Sequence, residues 1–204
     1  AHIEHLLVQI HQHVDGDDTG VGIAIGVGKF RDADVPPVKF AAHDAETIAK
    51  YFRAVGGIPS EQIKLLTDDR ALKEDLAELF EDWLPRQMKK DGVVVIYFSG
   101  RAVVDAAGAV SLVPHEGHPK ASSRLYSLRR LHSALARLPI QHAVLFLDVS
   151  LEGPAPSDQR QKEPKWDSHS DSGEDGKLVH IVSSSGLQEA HRLLSRGERP
   201  IGPA

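Results

Sequence analysis

Short continuous apolar runs alternate along this chain with segments whose apolar residues recur every three to four positions. GIAIGVG (22–28) is a small apolar run and predicts a strand. FRDADVPPVKF (30–40) reads as a loop, because Pro36 and Pro37 exclude helix and central strand. Ala45, Ile48, Ala49, Phe52 and Val55 then form one stripe, so 41–55 predicts an amphipathic helix that ends at Gly56-Gly57. QIKLLTD (62–68) predicts a strand. Leu72, Leu76, Leu79, Phe80 and Trp83 place a helix over 71–84, with Pro85 near its end. GVVVIYFSG (92–100) and HAVLFLDVS (142–150) are continuous apolar runs, as expected of strands covered on both faces.

Between those two runs, 102–114 reads as a β excursion around AAGAV. Leu125, Leu128, Leu131, Leu135 and Leu138 predict a further helix, capped by Ser127. KLVHIVSSS (177–185) predicts a last strand. At the ends, Ile3, Leu6, Leu7, Ile10 and Val14 suggest a short helix before a polar linker at 15–20, and the tail after 185 carries no clear element. Residues 152–176, rich in Pro, Ser and charge, predict a loop far longer than the usual connection of about 4–6 residues.

Strands alternating with helices imply an α/β fold: a three-layer sandwich, mostly parallel, with helices on both faces of a central sheet. Domain organisation follows as an N-terminal extension over 1–20 and one domain over 21–204. Sites in such sheets gather at the carboxyl ends of the strands. Two segments stand there, Phe98-Ser99-Gly100-Arg101-Ala102 and Asp148-Val149-Ser150-Leu151-Glu152-Gly153, each predicted to close a buried strand.

Composition narrows the function. The 204 residues carry 24 Lys+Arg against 29 Asp+Glu, a formal net charge of −5, which argues against nucleic-acid binding. No apolar run reaches the roughly 18 residues of a membrane-spanning helix. The N-terminus has neither Met nor a signal-peptide pattern, so a processed chain or a piece of a longer one, located in the cytoplasm, is the expectation. Zero cysteine excludes disulfides, thiolate metal sites and any cysteine nucleophile.

The strand ends and their surroundings together resemble the caspase-like peptidases, including metacaspases and bacterial relatives. The matching stretches are GIAIGVGKF, VKFAAHDAETIAKYF, LLTDDRA, VVVIYFSGRA, LVPHEG, VLFLDVSLEG and IVSSSGLQEA, in order, over about residues 21–195. In that family the third strand ends Ser-Gly-His-Gly, its His the general base, and the next buried strand ends Asp-x-Cys-x-Ser-Gly, its Cys the nucleophile. The resemblance therefore implies a p20-type domain with Arg101 at the His position and Ser150 at the Cys position. It also implies that Asp148 matches an Asp which, in metacaspases, shapes an acidic pocket for a basic side chain. Ala102 and Glu152 replace the second Gly and the Ser of the motifs, and only Gly153 is kept. The family's usual further strand and helix have no counterpart after residue 195, which implies a domain incomplete at its C-terminal side.

These replacements remove the chemistry. Arg is protonated at any working pH and is no practical general base, and a Ser hydroxyl without a base is a poor nucleophile. The expectation is a catalytically inactive caspase-like domain that binds protein or peptide partners as scaffold, decoy or regulator, including pairing with an active relative. Asp148, Arg101, Ser150, Ser183 and Ser184 are the cleft candidates, with an ion pair between Arg101 and Glu152 closing part of the former cleft. No cofactor, metal, nucleic acid or membrane is expected. Two alternatives stand beside this reading. One is a hydrolase rebuilt on Ser150 with His115 or His118 as base, since His132 falls mid-helix and His142 starts the strand that Ser150 ends. The other is a structural module of a larger protein.

Other signals have bland readings. His2, His5, His11 and His13 form a His-rich end without a completing carboxylate. Gly20, Gly22, Gly26 and Gly28 lie within a strand rather than opening a helix, so close packing explains them better than a nucleotide site. Arg124, Arg129, Arg130 and Arg137 make one helix basic, by default a solvated face.

Overall fold

The computed structural model describes residues 20–152 and the backbone of residues 178–185. The helix expected over 1–14, the long loop after Glu152 and the tail lie outside the described residues. In chain order the elements are β1 (Gly20–Gly26), α1 (Ala41–Ala54), β2 (Ile63–Thr67), α2 (Lys73–Glu78), a π-helical turn (Leu79–Trp83), α3 (Leu84–Gln87), β3 (Gly92–Val104), β4 (Val110–Val113), β5 (Tyr126–Ser127), α4 (Leu128–Leu135), β6 (Ile140–Glu152) and β7 (Leu178–Ser185).

The strands form one sheet. Its parallel part runs β2–β1–β3–β6–β7, and β4 pairs antiparallel with the far end of β3, followed by β5. Alternation along each strand sorts its residues between two cores. Ala24, Val93, Val95, Tyr97, Val144 and Phe146 face α1, where Ala45 and Phe52 meet them. Ile23, Ile25, Val94, Ile96, Leu145 and Leu147 face the opposite layer of α2, the π turn, α3 and α4. The expected three-layer α/β sandwich is therefore the fold.

The glycines of β1 set the distance of α1. A Cβ at Gly22 would come within 2.7 Å of the Phe52 ring, and one at Gly26 within 2.2 Å of the Ala41 carbonyl oxygen. Phe52 is fully buried, and its burial alone contributes about 2–3 kcal/mol. Close packing is thus what these glycines provide.

Three local expectations are corrected. The helix expected over 71–84 is interrupted by the π turn and resumes to Gln87. Pro85 stands two residues past that turn; it has no N–H to give and its ring would crowd the preceding turn. The wider register lets Leu84 N–H bond to Leu79 O instead. The helix expected around 125–138 is shorter, because Tyr126–Ser127 pair with β4, and Ser127 stands at its N-cap without a side-chain cap bond.

The third correction bears on function. β3 and β6 do not end near residues 100 and 150; they run on to Val104 and Glu152. Ala102 and Val104, and Val149 and Leu151, continue the apolar alternation on the α2–α4 side and are buried there. Arg101 and Ser150 consequently sit inside paired strands rather than on their terminal loops.

Candidate functional site

The same alternation puts Tyr97, Ser99 and Arg101 of β3 on the α1 side of the sheet. It puts Phe146, Asp148, Ser150 and Glu152 of β6 beside them. Ser99 pairs in register with Asp148, and Arg101 with Ser150. On the far side of β6, Asp148 pairs with Ser183, Val149 with Ser184 and Ser150 with Ser185, all three partners in β7. The pairings bring Arg101, Asp148, Ser150 and Ser183 into adjacent register positions, whereas Ser184 pairs with Val149, a residue of the α2–α4 side.

Arg101 is 9% exposed. A guanidinium that deep must be matched by acceptors, or its lost hydration costs several kcal/mol. Its Nε donates to the Pro36 carbonyl at 2.7 Å, its Nη1 pairs with the Glu152 carboxylate, and its Cζ lies 6.0 Å from the Phe30 ring centroid. The ion pair expected from the sequence is present. The Pro36 carbonyl was not legible there, since a backbone acceptor leaves no mark on residue identity.

The loop that supplies Pro36 is itself tied down. Gly28 and Lys29 N–H groups both donate to Asp68 Oδ1, at 2.8 and 2.9 Å. Val38 N–H donates to Gly28 O at 2.9 Å, and Arg31 N–H to His115 O at 2.8 Å. Arg101 is thus a pin joining β3, the end of β6 and a braced loop.

Beyond Arg101 the surface changes character. Asp148 is exposed, and Asp44, in the first turn of α1, acts on it electrostatically. Crowding by neighbours, then the Asp44 charge, holds the Asp148 carboxyl above the usual carboxylate range. Beneath them Tyr97 is buried, with buried Ser99 two residues along the same face of β3. Burial, with the charges of Asp148 and Asp44, pushes the Tyr97 phenol up to about 12. Asp44, Tyr97 and Ser99 complete this corner. The polar residues at period two in β3 signal it, but the approach of Asp44 depends on the α1 packing.

The histidines stand elsewhere. His115 Nδ1 donates to Lys29 O at 2.8 Å. His118 Nε2 lies 3.9 Å from Asp32 Oδ2. His132 belongs to α4, on the opposite layer, and His142 pairs with Val93 at the start of β6, about 26 Å along the strand from Ser150. Ser150 has Arg101 and Ser185 as its register neighbours. The His-rich end at 2–13 is outside the described residues, and among the described residues no three His, Asp or Glu side chains form a metal-sized group. No helix among them is long and apolar enough to cross a membrane. On the opposite layer Arg130 is engaged with Glu81, Nε to Oε1 at 2.5 Å, and Arg137 Nε donates to Ser133 O at 2.9 Å.

No protein-family model matches this chain, and no curated protein matches it. Among solved structures it is similar to the protein GSU0716 from Geobacter sulfurreducens, with a TM-score of 0.53 and 14% identity. The likeness covers 67% of this chain and 52% of that one, so the chain spans about half the length of that neighbour. At such identity the likeness shows the fold alone.

Proposed function

We propose that this chain is a catalytically silent caspase-like domain that acts by binding a protein or peptide. The observation that carries the reading is the commitment of Arg101. The position that resembles the family's general base holds a charged guanidinium, and that guanidinium is occupied by Glu152 and the Pro36 carbonyl. It has no lone pair to accept a proton from Ser150, its neighbour in register. Nucleophilic attack by an unassisted serine is slow.

What remains on the same face suits recognition. Asp148 and Asp44 place two carboxylates near one another, one of them exposed, on a rigid sheet and a helix start. Such a pair attracts a Lys or Arg side chain of a partner, whose charge relieves their mutual repulsion. The domain would then occupy a segment that an active relative would cut, or present it elsewhere.

The test has two arms. Fluorogenic peptides ending in Arg, Lys or Asp are expected to show no turnover above that of Ser150→Ala. Calorimetric titration with Arg- and Lys-containing peptides is expected to show binding that weakens in Asp148→Asn. Turnover that disappears in Ser150→Ala would overturn the proposal in favour of a serine hydrolase.

A further inference from the structure

Phe40 breaks three local rules at once. It is 72% exposed, the most exposed of the large apolar side chains among the described residues. Its backbone is left-handed, φ 71° and ψ −10°, a conformation that costs a bulky L-residue on the order of 1–2 kcal/mol. It is also the N-cap of α1, where Ser, Thr, Asp or Asn would bond a free N–H and Phe cannot. Gly would remove the strain, and a polar residue would remove both the exposure and the missing cap. Violations of this kind gather where a residue serves something other than stability.

The surroundings say what that is. Phe40 O accepts the N–H of Asp44 at 2.8 Å, so the ring stands one helical turn before the carboxylate that acts on Asp148. It is also held firmly. Ala41 is wedged against Gly26, and the preceding loop is fastened through Val38 to Gly28 and through Pro36 to Arg101. The register runs from Gly26, against which Ala41 packs, through Ser99 to Asp148, so this helix start and Asp148 share one face of the sheet. An exposed aromatic on a braced backbone, one turn before Asp44, is offered to a ligand with little ordering cost for the chain.

We propose that Phe40 is a binding residue for a peptide that carries an apolar side chain next to a basic one. Asp44 and Asp148 face the basic group, and the Phe40 ring covers the apolar neighbour. This rests on the peptide-binding reading above and adds the flanking preference to it.

Calorimetry with acetyl-Gly-Gly-Arg-Gly-amide and acetyl-Gly-Phe-Arg-Gly-amide tests it. The native chain is expected to bind the Phe-Arg peptide about five-fold tighter or more, since truncating a residue that anchors an interface costs at least that. In Phe40→Gly the preference for the Phe-Arg peptide over the Gly-Arg peptide is expected to vanish. The same variant is expected to melt about 2–4 °C higher, as the left-handed strain is released. A Phe-Arg preference that survives Phe40→Gly sinks the proposal alone, and so does a lower melting temperature, which would make Phe40 a structural residue. Failure of the native chain to bind either peptide sinks both the proposal and the peptide-binding reading.

Discussion

Arg101 and Ser150 are register partners on one face of two parallel strands, yet the Arg101 guanidinium is taken up by Glu152 and the Pro36 carbonyl. The two positions form a structural junction. Its energetics are therefore measurable as stability. Removing the guanidinium in Arg101→Met leaves Glu152 unpaired and frees the Pro36 loop. Glu152 keeps about a third of its side chain exposed, 34% by area, so water screens part of the loss. A cost of about 1–3 kcal/mol in urea unfolding is expected, with Glu152→Gln costing less because the Pro36 bond survives. Equal stability of Arg101→Met and the native chain would contradict the junction.

Asp148 makes a prediction about pH with a definite sign. Its carboxyl is held above the ordinary 3.8 by crowding and then by Asp44, so the folded chain binds this proton more tightly than the unfolded one. The contribution of the protonated form is complete below the unfolded value and is lost as pH rises through the folded one. At pH 7 Asp148→Asn is therefore expected to be more stable than the native chain, and the gain is expected to disappear below about pH 4. A destabilised Asn variant at pH 7 would show that the carboxylate is held by favourable contacts instead.

The Tyr97 phenol gives the alkaline counterpart. Its value rises from 10.0 to about 12, so stability carried by the neutral hydroxyl is retained below pH 10 and lost as pH climbs through about 12. Ultraviolet titration of Tyr97→Phe is expected to lack a phenolate step near 12 that the native chain shows.

The opposite layer obeys reversed signs. Glu81 bonds Arg130 through both carboxylate oxygens, and also receives the Tyr126 hydroxyl at 3.2 Å. The Arg130 hydrogen bond, opposed by some burial and aided by its charge, holds the Glu81 carboxyl below the usual 4.5. Stability from this pair is present above 4.5 and is lost as pH falls through the folded value. Arg130→Ala is expected to cost about 0.5–1 kcal/mol near neutrality, less in high salt, and nothing once Glu81 is protonated. An acid limb identical in variant and native chain would contradict this.

Periodicity made the parallel order legible, as well as α1 and its stripe through Phe52, and the packing purpose of Gly22 and Gly26. The Arg101–Glu152 pair was legible too, once two buried strands were taken as neighbours. The lengths of those strands were not. Arg101 and Ser150 looked terminal because polar residues appear there, but the polarity falls on one face only, while Ala102, Val104, Val149 and Leu151 keep the other face apolar. Asp44 beside Asp148 was hidden for another reason. Their approach is created by a helix start lying close on a glycine strand, a distance that pattern cannot supply. Phe40 was hidden because left-handed backbone at a non-glycine residue has no sequence signature.

The absence of cysteine turns the Arg101–Ser150 adjacency into a spectroscopic question. Ser150→Cys would be the only thiol in the chain, so its alkylation by iodoacetamide reports a single site. A cation beside a thiol favours the thiolate. In Ser150→Cys the neighbouring guanidinium is already neutralised by Glu152, and the alkylation midpoint is expected near the ordinary value of about 8.5. Adding Glu152→Gln removes that counter-charge and leaves Arg101 positive beside the sulfur. The midpoint is then expected to fall by about one unit, and adding Arg101→Met to the pair should return it. If Glu152→Gln leaves the midpoint where it was, the guanidinium does not act on position 150.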